Sequence, residues 1–394
     1  MFKRTLIVIL CFNCKLSQAD IYKESPKKQD FSWSATVEGS ININGHNALG
    51  QKVNVLQYLQ PDQSALNALR GFDASTQIGA LAAQLSNAND DGVRGHLVPT
   101  GKLNLNRVNL IFKYNLPNHF YLNLFVPAIS MKLSNVAWVD QTKSVSLADN
   151  LTKAKLTDNF VNNIEALSGG LKVGTGWDRI GFGDAEITLR WLRTFHQTKP
   201  ILKSVQLGLY GGLGLPTGKR SNEDQLFSIP FGRNGATAVL LGGNIQLRWW
   251  EHLRGGINLN LIQPFETTYE RRIKTDPNQT DLIFLAKAPT QVKLGLTQQF
   301  TLYLEGYHLF KNCSVQVGYN YAKHNQDSLK IISDKYSSEI ANTAISLQEL
   351  TQHSAIFTAS FTGKLLVDLY YKHPFNGKAT IQSQIFGCSI GYNL

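Results

Sequence analysis

The residues able to do chemistry are few, and their spacing limits what that chemistry could be. His353 and Ser354 are adjacent, and Ser221 precedes Asn222; these are the fragments nearest to a nucleophilic pair. Neighbours on an extended strand point to opposite faces, so His353 cannot by itself activate Ser354. Barrels that hydrolyse lipids at their rim make this the enzyme alternative, and the weaker reading. The nine histidines are scattered with no ligand spacing, so neither a metal nor a cofactor is implied. Residues 211–218, GGLGLPTG, lack the following helix that would give their glycines a phosphate-binding role. A different set alternates with apolar residues on extended runs: Glu38, Glu186, Arg190, Tyr210, Arg248, Lys293, Glu305 and Asp368. Side chains of that kind, all on one parity, line something.

The stretch from Gly181 to Gly218 shows what positions them. Two alternating runs flank the short turn HQTKP. Ala185, Ile187, Leu189, Trp191 and Phe195 share one face, and Glu186, Thr188, Arg190 and Thr194 the other. In the return arm Val205, Leu207, Leu209, Leu213 and Leu215 oppose Ser204, Gln206, Gly208, Tyr210, Gly212 and Gly214. This is a β-hairpin with one greasy and one wet face, as in a soluble sandwich or a membrane barrel.

Composition favours the barrel. Hydrophobic residues make up 43% and charged residues 17%, below the roughly 25% charged of a soluble domain. No window approaches the ~18 apolar residues of a membrane helix. Lys3 and Arg4, the apolar run Leu6 to Phe12 and Ser17-Gln18-Ala19 predict a cleaved secretory signal over residues 1–19, leaving 20–394 as the barrel. Cys313 and Cys388 then remain, both on apolar parities, as small lipid-facing side chains rather than a disulfide. A net charge of +11 could suggest nucleic acid, but no basic cluster with interleaved aromatics exists. Contact with anionic lipid or a mildly anion-favouring pore fits better.

Read in order, the strands are 31–44, 103–114, 119–132, the two arms of the hairpin, 235–249, 255–265, 288–309, 313–321, 353–362, 365–371 and 378–394. The connections alternate long and short. Long inserts at 45–101 and 133–180 are partly helical, and the first is either a surface loop or a plug in the lumen. Residues 372–377, KHPFNG, read as the last and shortest of the long connections. The fold predicted is all-β: a transmembrane antiparallel up-and-down barrel of about 12 strands, with partly helical outer loops and both termini at the short-turn rim. Trp249, Trp250, Tyr303, Tyr307, Tyr319, Tyr321, Tyr370, Tyr371 and Tyr392 read as aromatic girdles. The terminal strand, with Phe386, Cys388, Ile390, Tyr392 and Leu394 on one face, resembles those recognised by the outer-membrane barrel-assembly machinery. The charged wall residues then face a lumen, where they either select solutes or pair and fill it.

Two motifs bracket the hairpin: Gly181-Phe182-Gly183-Asp184 and Gly212-Leu213-Gly214-Leu215-Pro216-Thr217-Gly218. They resemble those of the bacterial outer-membrane barrels grouped as the meta-pathway of phenol degradation family, related in style to fatty-acid and aromatic-hydrocarbon transporters. The resemblance implies passive uptake of small, hydrophobic or aromatic compounds; the alternative is a structural or adhesive barrel with a closed lumen. Either implies outer-membrane lipids as surroundings and a bacterial outer-membrane location, and the first a small-molecule solute. The rim residues Gly183, Asp184, Pro216, Thr217 and Gly218 are expected to build turns, Asp184 capping backbone amides. The alternative for Asp184 is a contact with solute.

Overall fold

The computed structural model describes residues 31–85, 91–310 and 312–393; the signal segment and Leu394 lie outside them. Twelve antiparallel strands close a barrel. They are β1 (Phe31–His46), β2 (His96–Asn115), β3 (Phe120–Asp140), β4 (Glu186–His196), β5 (Leu202–Gly214), β6 (Ala238–Trp249), β7 (Leu253–Pro264), β8 (Thr297–Phe310), β9 (Cys313–His324), β10 (Leu350–Thr362), β11 (Leu365–Lys378) and β12 (Thr380–Asn393). Closure comes from β12 pairing back on β1, from Ser32↔Asn393 to His46↔Thr380. Among the described residues no sheet edge is left in the wall, which is what lets a strand protein sit in lipid. The termini of the barrel share the rim of the short turns at 116–119, 197–201, 250–252 and 363–364.

Alternation fixes which face meets lipid. Val37, Leu209, Ile245, Leu304 and Leu369 are exposed on the outside, while Thr36, Asn109, Thr301 and Ser354 are buried on the inside. Cys313 and Cys388 are free and half-buried.

Three features depart from the sequence reading. The run 288–309 is two elements: Ala286–Lys293 belongs to a separate three-stranded outer sheet with 267–273 and 328–331, and β8 starts at Thr297. The break falls at Gly295, whose amide donates to Asp327 Oδ1 at 2.7 Å. A Cβ there would lie 2.1 Å from the Asn325 carbonyl oxygen. Residues 372–377 are strand rather than loop, because β11 keeps pairing with β10 as far as Thr351↔Lys378, and the chain reverses at Ala379 with φ 51°. Tyr303, Tyr307 and Tyr370 are lumen residues, not girdle residues: Tyr303 and Tyr370 take the parity opposite to the lipid-facing Leu302, Leu304 and Leu369, and the Tyr307 ring lies against the inward Arg248 and Arg254.

At the end of the long connections the inserts build a core together with the wall strands β2 and β3. Val55, Leu56 and Tyr58 pack with Leu103, Ile129, Met131, Phe160, Trp177, Phe227 and Phe231. The helix Leu147–Thr152 starts with a capping box between Ser146 and Asp149, and Arg94 Nε holds Asp149 Oδ1 at 2.6 Å. Arg272 joins three connections, donating to Ser168 O at 2.9 Å, Asp224 Oδ1 at 2.7 Å and Leu285 O at 3.0 Å. A second core around Ile273, Ala288, Val292 and Leu347 supports the outer sheet.

Candidate functional site

The lumen is built from inward parities and has two unlike sides. On the side of β8 to β12, β1 and β2 the wall residues Thr36, Glu38, Arg107, Glu305, Asn320 and Lys372 are buried. Several of their polar groups are paired within the wall, as burial favours. Arg254 Nη2 donates to Glu305 Oε1 at 2.6 Å, with Nε bonded to the other oxygen. Glu38 accepts from the Tyr370 hydroxyl and lies 3.7 Å from Arg107 Nη1. Lys372 Nζ reaches Asn320 Oδ1 at 3.4 Å.

On the side of β4 to β7 some inward residues are buried, Thr188, Gln206, Arg254 and Asn260 among them, and others stay accessible. Arg190, Tyr210, Asn244, Gln246, Arg248 and Asn258 are half-buried, as is Lys113 on β2. Tyr121, Arg190 and Tyr210 stand in direct register on consecutive strands. The Arg190 guanidinium lies 4.2 Å from the Tyr210 ring centroid, and Lys113 Nζ 4.4 Å from that of Tyr121. Tyr210 donates to Asn260, whose amide donates to Gln299 at 3.2 Å.

Three inward tyrosines lie against glycines directly across the ladder: Tyr210 on Gly242, Tyr303 on Gly256 and Tyr370 on Gly387. A Cβ on any of these glycines would come within 2.6 Å of the ring or its hydroxyl. Glycine in place of a larger residue therefore keeps each ring flat against the wall and out of the bore.

At the outer end, the connection between β5 and β6 turns inward. Leu226 through Asn234 are buried without interruption. Asp184 holds this segment: its Oδ1 accepts from the Gly218 amide at 2.8 Å, and its Oδ2 from the Arg233 amide at 2.5 Å. The Arg233 guanidinium lies 3.3 Å from both Asp184 and Glu186, over Gly214, where a Cβ would meet it at 2.1 Å. Thr217 links the two motifs, accepting from the Ala185 amide at 2.8 Å and donating to Gly183 O at 2.9 Å. Gly183 and Gly232 admit this close approach, and Pro216 ends the pairing of β5. Burial pushes the Asp184 carboxyl above its ordinary range, with Arg233 pulling the other way.

The residues singled out in the sequence therefore fall into separate groups. Arg190 and Tyr210 meet on the accessible side, where Arg248 lies farther along β6 with its guanidinium 5.3 Å from the Tyr307 ring centroid, Glu38, Glu305 and Asp368 are buried on the other, and Glu186 belongs to the clasp. Lys293 is not a wall residue: it is exposed at the end of the outer strand 286–293, opposite Ser328. The break at Gly295 removes it from the register that extended it into β8. Lys113, Arg107, Lys372 and Arg233 went unnoticed. The first three were readable, since Lys113 alternates with Leu110, Phe112 and Tyr114 and the others obey the same parity.

Two arrangements could be mistaken for catalytic ones. His353 Nδ1 lies 2.7 Å from the Tyr319 hydroxyl, whereas Ser354 is buried on the other face of β10. Thr297 Oγ1, His324 and Asp327 form a chain with both links at 2.8 Å, but all three are fully buried, so no substrate reaches them. They fix the outer sheet to β8 and β9.

In solved structures the fold matches an outer-membrane channel from Pseudomonas putida F1, with TM-score 0.53 and 12% identity over 95% of this chain and 98% of that one. A toluene transporter of Ralstonia pickettii, TbuX, aligns over 93% of this chain and 90% of that one at 10% identity, with TM-score 0.35. A variant of the monoaromatic hydrocarbon channel TodX aligns over 94% and 91% at 10% identity, with TM-score 0.36. The last two overlaps are too loose to support an argument. No family model matches the chain, and no curated protein matches it by sequence. A closed barrel of this fold with a lipid-facing apolar belt belongs to the bacterial outer membrane.

Proposed function

We propose that this protein is an outer-membrane channel for passive uptake of small hydrophobic or aromatic compounds, closed in the described state by the inward segment 226–234. One observation carries the reading: on the side of β4 to β7 the inward polar residues Arg190, Tyr210, Asn244, Gln246, Arg248 and Asn258 are only half-buried, which reads as a polar cleft in the lumen. A barrel built only as a wall has no need of such a cleft, and filling it with packed side chains would be more stable. The shared fold with the Pseudomonas putida channel supports the reading, as does the motif resemblance to the phenol-degradation barrels. The pore-lining set is Glu38, Glu186, Arg190, Tyr210, Arg248, Glu305 and Asp368, joined by Lys113, Arg107 and Lys372. The dry outer core around Phe227 and Phe231 favours the second reading, a structural barrel with a permanently closed lumen. Liposome uptake separates them. Folded protein should admit small aromatics into vesicles, and a folded barrel that admits none supports the structural reading.

A further inference from the structure

The outward faces of β9, β10 and β11 change character row by row from the end of the long connections downwards. Lys323, Thr351 and Lys378 stand in one register row on these three strands, so the two lysines are about 10 Å apart at the backbone. Glu349 is bonded to Lys323 Nζ at 2.9 Å and also feels the charge of the exposed Lys378, so two cations share one acid. The next row holds Tyr321, His353 and Asn376, and the one below it Tyr319, Ala355 and His373. His353 Nδ1 lies 2.7 Å from the Tyr319 hydroxyl, and its ring centroid 5.1 Å from that of Tyr321. His373 Nδ1 accepts from Gln384 Nε2 at 3.3 Å, and the Tyr371 hydroxyl lies 3.2 Å from the same nitrogen. An imidazole that accepts at Nδ1 carries its proton on Nε2. Neither ring has a protein hydrogen-bond partner at Nε2 among the described residues. An N–H donor without a partner is costly in hydrocarbon, so these rows belong at the level of lipid head groups. Below them Val37, Phe357, Leu369 and Phe386 enclose an apolar groove of about 660 Å³ over the small Gly39 and Ala359.

We infer that this face binds one outer-leaflet lipid with a phosphorylated head group. Lys323 and Lys378 hold a phosphate, the Nε2–H groups of His353 and His373 donate to head-group oxygens, and an acyl chain lies in the groove. Charge complementarity selects the occupant: a phosphate between the lysines supplies the negative charge that a single shared acid leaves short. A second copy of the chain is a poorer fit, because a two-fold contact sets a patch against itself and would bring the cation rows together. The site rests on the outer-membrane location and not on the channel reading.

The test is native mass spectrometry of the full-length barrel, folded in neutral detergent, with diphosphoryl lipid A, the same lipid stripped of its phosphates, and inorganic phosphate. Diphosphoryl lipid A should give a saturable adduct, the stripped lipid one about tenfold weaker, and inorganic phosphate none. The double variant Lys323→Gln, Lys378→Gln should lose about tenfold in affinity for diphosphoryl lipid A while keeping heat-modifiable gel migration. His353→Phe, which keeps a ring but removes the donor, should lose severalfold. Substitution of an exposed cation elsewhere on the outer face, Lys132→Gln on β3, should leave binding unchanged. If the double variant fails to fold, Lys378→Gln alone should bind severalfold more weakly and Lys378→Arg should restore the affinity. The inference is overturned if the stripped lipid binds as well as diphosphoryl lipid A, if the lysine variants bind as tightly as wild type, if Lys132→Gln loses as much as they do, or if the protein forms a lipid-free dimer that diphosphoryl lipid A does not dissociate.

Discussion

Gly232 shows how tightly the clasp is drawn, since a Cβ there would come 2.2 Å from the Asp184 carboxyl carbon. Gly232→Ala must push the acid away from the Gly218 and Arg233 amides. The expected loss is about 1–3 kcal/mol, measured as a lower urea midpoint for unfolding from lipid vesicles; an unchanged midpoint would mean that the clasp is slack. Asp149 makes a pH-dependent contribution. Hydrogen bonds from Arg94 and Ser146 hold its carboxyl well below the usual range. The stability this gives the helix 147–152 is therefore complete above the ordinary carboxylate pKa of about 4 and is lost as pH falls from there towards the depressed value. Hydrogen exchange across 146–152, corrected for intrinsic rates, should accelerate on acidification in wild type, and Asp149→Asn should remove most of the pH dependence. Equal pH dependence in both proteins would remove Asp149 from the account. The turn and capping role of Asp184 was open to sequence reasoning, but its partner Arg233 was not, because nothing local ties positions 49 residues apart.

At the scale of the strand, parity carries both the fold and its limits. Leu209 faces lipid and Asn244 faces the lumen on the neighbouring strand. Leu209→Arg should cost about 2–4 kcal/mol if the residue lies near the bilayer midplane, while Asn244→Arg should cost far less. Equilibrium unfolding in vesicles checks this, and equal costs would contradict the assigned faces. Alternation alone located all twelve strands, because every strand must offer lipid one apolar face. Tyr303, Tyr307 and Tyr370 were misplaced where residue type was allowed to outweigh parity. Other errors came from contacts that alternation does not encode. Val292 and Leu294 continue the apolar parity of Leu302 and Leu304, yet they serve the second core outside the wall. A clue to the inward segment was present in Leu226, Phe227, Ile229 and Phe231, four large apolar residues in a connection that a solvated loop would have made polar.

For the whole molecule, closure of the wall and closure of the bore are separate properties. Closure of the wall predicts heat-modifiable migration: unboiled protein should run at a different apparent mass from boiled protein, and a single position under both conditions would contradict a barrel. Closure of the bore depends on the buried run 226–234 and its hold on Asp184 and Glu186. The most direct test is single-channel recording in planar bilayers of the wild type and of a variant with residues 226–234 replaced by a glycine-serine linker. The account predicts discrete conductance steps that are small or infrequent in the wild type and severalfold larger or more frequent in the variant, because the β4 to β7 cleft then opens to the cell surface. Two folded, heat-modifiable proteins that both insert and give no steps would contradict it.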